Sequence, residues 1–301
     1  MGLCDGRTVI VTGAGRGIGR AHALAFAAEG ANVVVNDLGA AADGSGADLG
    51  PAHEVVQAIR GRGGNAVANG DDVASAEGAE RLVQCAVESF GDLHVVVNNA
   101  GIVRDRMFVN ATVDEWDAVM AVHLRGHFLP SKFAAMHWRD RAKAGASPSG
   151  RIVNTSSGAG LMGSIAQAAY SAAKGGIASL TLVQAAELGR YGITANAIAP
   201  AARTRMTEEA FAEMMAKPDD DAFDAMDPAN VSPLVVWLGS EESADVTGRV
   251  FEVEGGTIGV AQGWSHGPRV DKGARWEPSE VGAVVADLLA EAVPPTPVYG
   301  A

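Results

Sequence analysis

A β-branched run, Thr8 to Thr12, passes straight into Gly13, Gly15, Gly17 and Gly19, and an alanine-rich stretch from Arg20 to Glu29 follows. Strand, glycine loop and helix in immediate succession can open a dinucleotide-binding unit. The glycines let the backbone turn tightly and approach a pyrophosphate, while free N–H groups at the helix N-terminus face its charge. Out of that context the same cluster is a plain turn. Gly13, Arg16, Gly17, Ile18 and Gly19 are therefore the expected loop contacts. A second apolar strand, Asn32 to Asn36, ends in Asp37, about 20 residues beyond the loop, where a carboxylate accepts hydrogen bonds from an adenosine ribose and repels a 2′-phosphate. Arg16 pulls the other way, since a cation pairs with that phosphate. Asp37 has the more direct position, so NAD is expected over NADP.

The rest of the chain repeats the alternation. Leu38 to Gly50 reads as a polar surface insertion, and Pro51 opens a helix to Arg62 that Gly63-Gly64 closes. Asn65 to Ala68 is a third strand, with Asp72 and Val73 placed against the adenine at its end. Ser75 caps a helix to about Phe90. Leu93 to Val97 is a continuous apolar run, as a strand buried on both faces should be. It ends in Asn98-Asn99-Ala100-Gly101, where amides can tie neighbouring strands and small residues let backbone pass close to a cofactor. A buried turn is the alternative. One long helix is predicted from Val113 to about Ala142. Arg151 to Val153 begins a fifth strand, closed by Asn154-Thr155-Ser156-Ser157; a glycine-rich loop and a helix to about Tyr191 follow. Ile193 to Ile198 is a sixth strand ended by Pro200, and Val250 to Val253 is the last. Residues 201–227, with Met206, Phe211, Met214, Met215 and Phe223, form either a lid over an apolar substrate or an amphipathic helix on the sheet. Another helix runs from Asp227-Pro228 to Leu238. The expected fold is α/β, a doubly wound parallel sheet of Rossmann type, with one domain over 1–263 and a C-terminal extension, 264–301, carrying a helix at Ser279 to Ala292.

Tyr170 and Lys174 stand one helical turn apart, so the ammonium can lie near the phenol. A free tyrosine titrates near ~10; bringing it to about 7 requires about 4 kcal/mol in favour of the phenolate, within reach of a cation at a partly buried site. Alone, the pair is an ordinary helix-surface spacing. Net charge of −13 and a pI of about 4.9 argue against nucleic acid and against an anionic membrane surface. The longest apolar runs are far short of the ~18 to 20 residues that span a bilayer. The N-terminus lacks the pattern of an export signal, and Cys4 and Cys85 suggest reduced thiols rather than a disulfide framework, so a cytoplasmic location is expected. His123 and His127 have the spacing of a helical metal pair but no third ligand, and no metal is expected.

Thr12-Gly13-Ala14-Gly15-Arg16-Gly17-Ile18-Gly19, Asn98-Asn99-Ala100-Gly101, and Ser157 with Tyr170 and Lys174, in that order over roughly residues 5 to 260, resemble the short-chain dehydrogenase/reductase family. The interval from Ser157 to Tyr170 is the usual one there and selects Ser157 over Ser156. A nearer similarity is to the (3R)-hydroxyacyl-CoA dehydrogenase unit of type 2 multifunctional enzymes, carried by Val35-Asn36-Asp37-Leu38-Gly39, the insertion after it, Arg104-Asp105-Arg106, Val122-His123-Leu124-Arg125-Gly126 and Arg205-Met206-Thr207. The hydratase unit of those proteins is absent, which implies a free-standing dehydrogenase.

The resemblance implies that Tyr170 removes a hydroxyl proton as hydride leaves the same carbon for the nicotinamide, that Ser157 holds the substrate oxygen, and that Lys174 lowers the phenol pKa and binds the nicotinamide ribose. His123 stands where many members have an asparagine that helps hold a relay water. Ala201 replaces the usual glycine after Pro200, which bears on how Thr204 meets the nicotinamide. The expected substrate is a 3-hydroxyacyl-CoA, with Arg104, Arg106, Arg203 and Arg205 as a basic patch for CoA or as solvated surface. The alternatives are a steroid or other secondary alcohol without CoA recognition, or NAD sensing without turnover. A homo-oligomer, tetramer or dimer, is implied, and the extension covers either an active site or a neighbouring subunit.

Overall fold

The computed structural model describes residues 2–41, 43–204, 215–218 and 222–300. Among the described residues eight strands form one sheet: β1 (Thr8–Thr12), β2 (Asn32–Asn36), β3 (Asn65–Asn69), β4 (Val95–Asn98), β5 (Arg151–Thr155), β6 (Thr194–Ala201), β7 (Val250–Glu254) and β8 (Thr257–Ala261). Their order is β3-β2-β1-β4-β5-β6-β7-β8, parallel throughout except that β8 runs antiparallel to β7. The chain winds outward from β1 in one direction and from β4 in the other, which opens a crevice beyond the carboxyl ends of those two strands.

Alternation along each strand divides the core. Val9, Val11, Val33 and Val35 face α1 (Gly17–Ala28) and α2 (Gly50–Arg60), packing with Phe26, Val55 and Ile59. Ile10, Val34, Val96 and Ile152 face the other way, onto Leu82 of α3 (Ala76–Phe90) and Trp138. Both faces are covered, and this is why β4 reads as an unbroken apolar run.

The predicted helix from Val113 is interrupted. Instead α4 (Val113–Met120) passes through a widened π turn, Ala121–Arg125, into α5 (Gly126–Lys143). A Cβ at Gly126 would sit 3.1 Å from Val73 Cγ2, so the start of α5 is seated closely on the loop between β3 and α3. The predicted glycine-rich loop after Ser157 holds a short helix, α6 (Gly158–Met162), before α7 (Ala168–Leu188). Pro200 lies inside β6 rather than ending it. The β5 partner stops at Ile198, so the missing N–H removes no ladder bond there. Nor is β7 last: Gly255-Gly256 is the two-residue turn of a hairpin into β8, a signal present in the sequence. The helix after Pro228 is delayed by a 3₁₀ turn, so α8 spans Ser232–Gly239.

In the extension, α9 (Pro278–Glu291) has no buried residue. Beyond it the chain returns to the crevice: Tyr299 N–H donates to the Gly163 carbonyl at 3.1 Å and Ile165 N–H to the Tyr299 carbonyl at 3.0 Å. No helix among the described residues is long and apolar enough to cross a membrane. Of the lid residues, Met206, Phe211 and Met214 lie outside the described residues, whereas Met215 is buried and Phe223 exposed.

Deleting residues 298–301 removes the acceptor of Ile165 N–H. Hydrogen exchange at that amide should accelerate at least tenfold while the global unfolding temperature stays within a degree or two. Unchanged exchange would show that the terminal segment does not hold this loop.

Candidate active site

The glycine loop is shaped by close approach. Gly13 has φ +62°, and a Cβ there would lie 2.8 Å from Ala100 Cα; one at Gly19 would lie 2.2 Å from the Gly13 carbonyl oxygen. Asn99 donates to the Thr12 and Gly13 carbonyls at 3.0 and 3.2 Å, and Thr12 Oγ1 accepts from Asn99 and Ala100 N–H at 2.9 and 3.1 Å. These bonds lock the ends of β1 and β4 together. Arg16, exposed, precedes α1 without capping it, and the first turn of α1 carries no acid. Its positive end thus faces the crevice with no side-chain acceptor of its own. Ile18 is half-buried against the core.

Asp37 closes onto this loop, its Oδ2 accepting from Gly15 N–H and its Oδ1 from Gly39 N–H, both at 2.7 Å. Asp72 takes the Ala74 N–H at 2.8 Å, and Val73 is buried beside it. On the far side, a Cβ at Gly17 would meet Thr204 Cγ2 at 3.6 Å, so Thr204 stands against the loop, a few residues past Pro200. The donor set, an uncapped helix end, glycine backbone and a strand-end carboxylate, fits a dinucleotide. Gly101 has a different reason from the one expected. Its missing Cβ makes room for an imidazole, since a methyl there would lie 2.6 Å from His123 Cε1.

Ser157, with extended backbone, starts α6, and its Oγ accepts from Ala159 N–H at 3.2 Å. Ser157 stands near enough to Tyr170 for its hydroxyl to draw the phenol's pKa down. Lys174 is buried; its Nζ lies 5.5 Å from the Tyr170 ring centroid and donates to the Thr155 carbonyl at 2.6 Å. His123 stands edge-on to Tyr170 with ring centroids 5.2 Å apart, and its Nε2 lies 2.7 Å from the Ile102 carbonyl oxygen. Burial holds His123 neutral, its pKa lowered to about 3. The structure thus brings Ser157, Tyr170 and Lys174 together in the crevice.

The electrostatics depart from expectation. Burial, the largest influence, pushes Tyr170 above its ordinary value; the nearby Ser157 hydroxyl pulls it down and the charge of Asp105 pushes it up. Burial also brings Lys174 down from 10.5 to about 7. The protein's own groups therefore do not make the phenol acidic, because desolvation penalises both the phenolate and the ammonium meant to stabilise it.

Three features of the mouth were not read from the sequence. Arg106 N–H donates to the Ala166 carbonyl at 2.7 Å and Gln167 Nε2 to Asp105 at 3.0 Å, so the segment after β4 is tied to the segment before Tyr170. Ala166 takes φ +63° between those ties. The basic patch also needs correction. Arg203 is buried and pairs with Asp224 at 2.6 and 2.8 Å, so it serves the fold rather than an incoming anion. Arg104 lies 3.7 Å from Asp43 and Arg106 2.9 Å from Glu115; Arg205, Met206 and Thr207 lie outside the described residues. Among the described residues no three His, Cys, Asp or Glu side chains gather as a metal would require.

The profile of the short chain dehydrogenase family matches residues 7–215. The hydroxyacyl-CoA dehydrogenase ChsB1 of Mycobacterium tuberculosis is 46% identical over 95% of this chain and 89% of its own length. The peroxisomal multifunctional enzyme type 2 of Mus musculus is 47% identical over 85% of this chain, which spans only 32% of that longer protein. A crystal structure of a short chain dehydrogenase from Mycobacterium avium superposes with a TM-score of 0.90, 64% identity and full coverage of both chains. The likeness therefore continues past residue 260, where the motifs end, to the end of the chain.

His22 is wholly buried, 3.0 Å from Ser232 Oγ, and burial lowers its pKa to about 3, as for His123. The unfolded chain binds more protons than the folded one between about pH 6.5 and 3, so the stability tied to these neutral histidines is full above pH 6.5 and is lost as pH falls, by about 1.4 kcal/mol per pH unit for each. Urea midpoints should drop from pH 7 to 4, and His22→Asn should flatten that slope. An equal slope in the variant would exclude the His22 contribution.

Proposed function

The chain belongs to the short-chain dehydrogenase/reductase family, and we propose that it moves hydride between NAD and carbon 3 of a 3-hydroxyacyl-CoA. It is an oxidoreductase acting on CH–OH groups through a nicotinamide dinucleotide. The observation that carries the reading is the buried Lys174 ammonium, 5.5 Å from the Tyr170 ring centroid and fixed on the Thr155 carbonyl, with the Ser157 hydroxyl acting on the same phenol. Ser157 holds the substrate oxygen and Tyr170 takes the hydroxyl proton. Lys174 supplies positive charge beside the phenol and a donor to the nicotinamide ribose, and His123 packs the ring of Tyr170 in place. Gly13, Arg16, Gly17, Ile18 and Gly19 take the pyrophosphate, Asp37 the adenosine ribose, Asp72 and Val73 the adenine. Asn99, Ala100, Gly101, Pro200 and Thr204 border the nicotinamide end. The dinucleotide, when bound, supplies the hydride acceptor and, in its oxidised form, a positive charge that offsets the burial raising the phenol's pKa.

The name of the Mycobacterium tuberculosis relative supports the acyl-CoA substrate, and Met107, Phe108 and Val109, all exposed beside the mouth, suit an apolar acyl chain. With Arg203 buried, CoA recognition falls, among the described residues, to Arg104 and Arg106. Their carboxylate partners favour a second reading, a bulky secondary alcohol such as a hydroxysteroid without CoA recognition. A homo-oligomer and a cytoplasmic location belong to the proposal. Exposed Val281, Val285 and Leu289 of α9 support the first, and two free cysteines are consistent with the second.

Tyr170→Phe should keep NAD binding within twofold and lose at least a thousandfold in kcat for NADH formation. Wild-type turnover in that variant would end the catalytic assignment. NAD should exceed NADP at least a hundredfold in kcat/KM because Asp37 meets the 2′ position; equal efficiencies would overturn the cofactor choice.

A further inference from the structure

His127 stood out in the sequence beside His123, and neither a metal nor the proposed mechanism gives it a task. It is nonetheless wholly buried, and the place where it is buried is informative. β4 ends at Asn98, which pairs with Asn154, so Thr155 extends β5 one residue past its neighbour. In a strand the N–H and carbonyl of one residue point to the same side, and on that side of Thr155 no strand continues. Two side chains complete the ladder instead. His127 Nε2 faces Thr155 N–H at 3.3 Å, and Lys174 Nζ donates to the Thr155 carbonyl at 2.6 Å.

The surroundings hold His127 in turn. Ser131 Oγ donates to the His127 carbonyl at 2.7 Å and accepts from Asn98 at 2.8 Å; Asn98 donates to Asn154 at 2.9 Å, and Asn154 donates to Thr181 and Gln184 at 2.9 and 2.8 Å. The hydrogen bonds thus run from the His127 ring through β5 and β4 and back to the His127 backbone. The π turn before α5 separates the two histidines, so that His123 faces Ile102 and Tyr170 while His127 faces Thr155. The groups around Lys174 are His123, His127 and Tyr170, with Asp105 acting on the phenol from across the mouth.

We infer that His127 is a positioning residue: by accepting from Thr155 N–H it fixes the Thr155 carbonyl, and through it the Lys174 ammonium beside Tyr170. The inference rests on the catalytic reading of Lys174 given above. Without the imidazole, Thr155 N–H is buried and unpaired, and the end of β5 turns to satisfy it, carrying the carbonyl away from Lys174.

The test compares His127→Leu, which has no acceptor, with His127→Gln, whose Oε1 can stand near the position of Nε2. Kinetics of NADH formation from a 3-hydroxyacyl-CoA are measured from pH 6 to 10, together with NAD affinity. In the leucine variant kcat should fall at least tenfold with KM and NAD affinity within twofold, and the acid limb of the kcat profile should move to higher pH by half a unit or more. The glutamine variant should recover to within threefold of wild type. If the leucine variant does not fold, His127→Met fills the same space with a more adaptable chain and carries the comparison. An unmoved acid limb, or equal losses in the apolar and glutamine variants, overturns the inference and leaves His127 a packing residue. Lys174→Met separates the two levels. Wild-type turnover there sinks the catalytic reading itself, whereas inactivity there with a wild-type leucine variant sinks only the role of His127.

Discussion

One buried ammonium sets the conditions for the rest of the site. Lys174 is 3% exposed and donates to a single backbone carbonyl, that of Thr155. A charge removed from water is costly unless its protons find acceptors, and Thr155 offers one only because β5 outruns β4 by a residue. The stagger of two strand ends therefore creates a carbonyl that no strand can pair, and the fold places a lysine there. The cost appears in the lysine itself, whose pKa is drawn down to about 7. An ammonium poised at neutral pH can give and take protons, which a solvated lysine near its ordinary value cannot do readily.

A second constraint is the absence of side chains where segments cross. Gly13 against Ala100, Gly19 against the Gly13 carbonyl, and Gly101 against His123 each leave less room than a methyl group needs. These contacts bring the glycine loop, the end of β4 and the π turn into one packed unit. Asp37, gripping Gly15 and Gly39 through both oxygens, extends that unit to the second strand. The shape of the loop thus depends on the carboxylate to which the proposal assigns the choice of cofactor.

The mouth is organised differently. Short ties replace packing: Arg106 to Ala166, Gln167 to Asp105, and Gly163 and Ile165 to Tyr299. The segment between Ser157 and Tyr170 is held on one side by the chain after β4 and on the other by the C-terminal end. Such backbone bonds at the surface open more easily than a core, which suits an entrance, while Ser157 caps α6 and Tyr170 sits on α7.

The sequence by itself determined the order of strands and helices, the glycine loop, Asp37 and the spacing of Ser157, Tyr170 and Lys174, because each is a local pattern: period, turn chemistry or fixed separation along one helix. A local signal also marks the Gly255-Gly256 turn from β7 into β8, although Val250 to Val253 reads in the sequence as the last strand. Only the tertiary structure decided what depends on distant segments meeting. It placed Pro200 harmlessly inside β6, broke the helix at Ala121–Arg125, buried Arg203 on Asp224 and laid Tyr299 beside Gly163. The same holds for the sign of the electrostatics. Spacing puts a cation near the Tyr170 phenol, but whether the phenol becomes more or less acidic depends on how much water the fold removes from both, and no stretch of sequence records that.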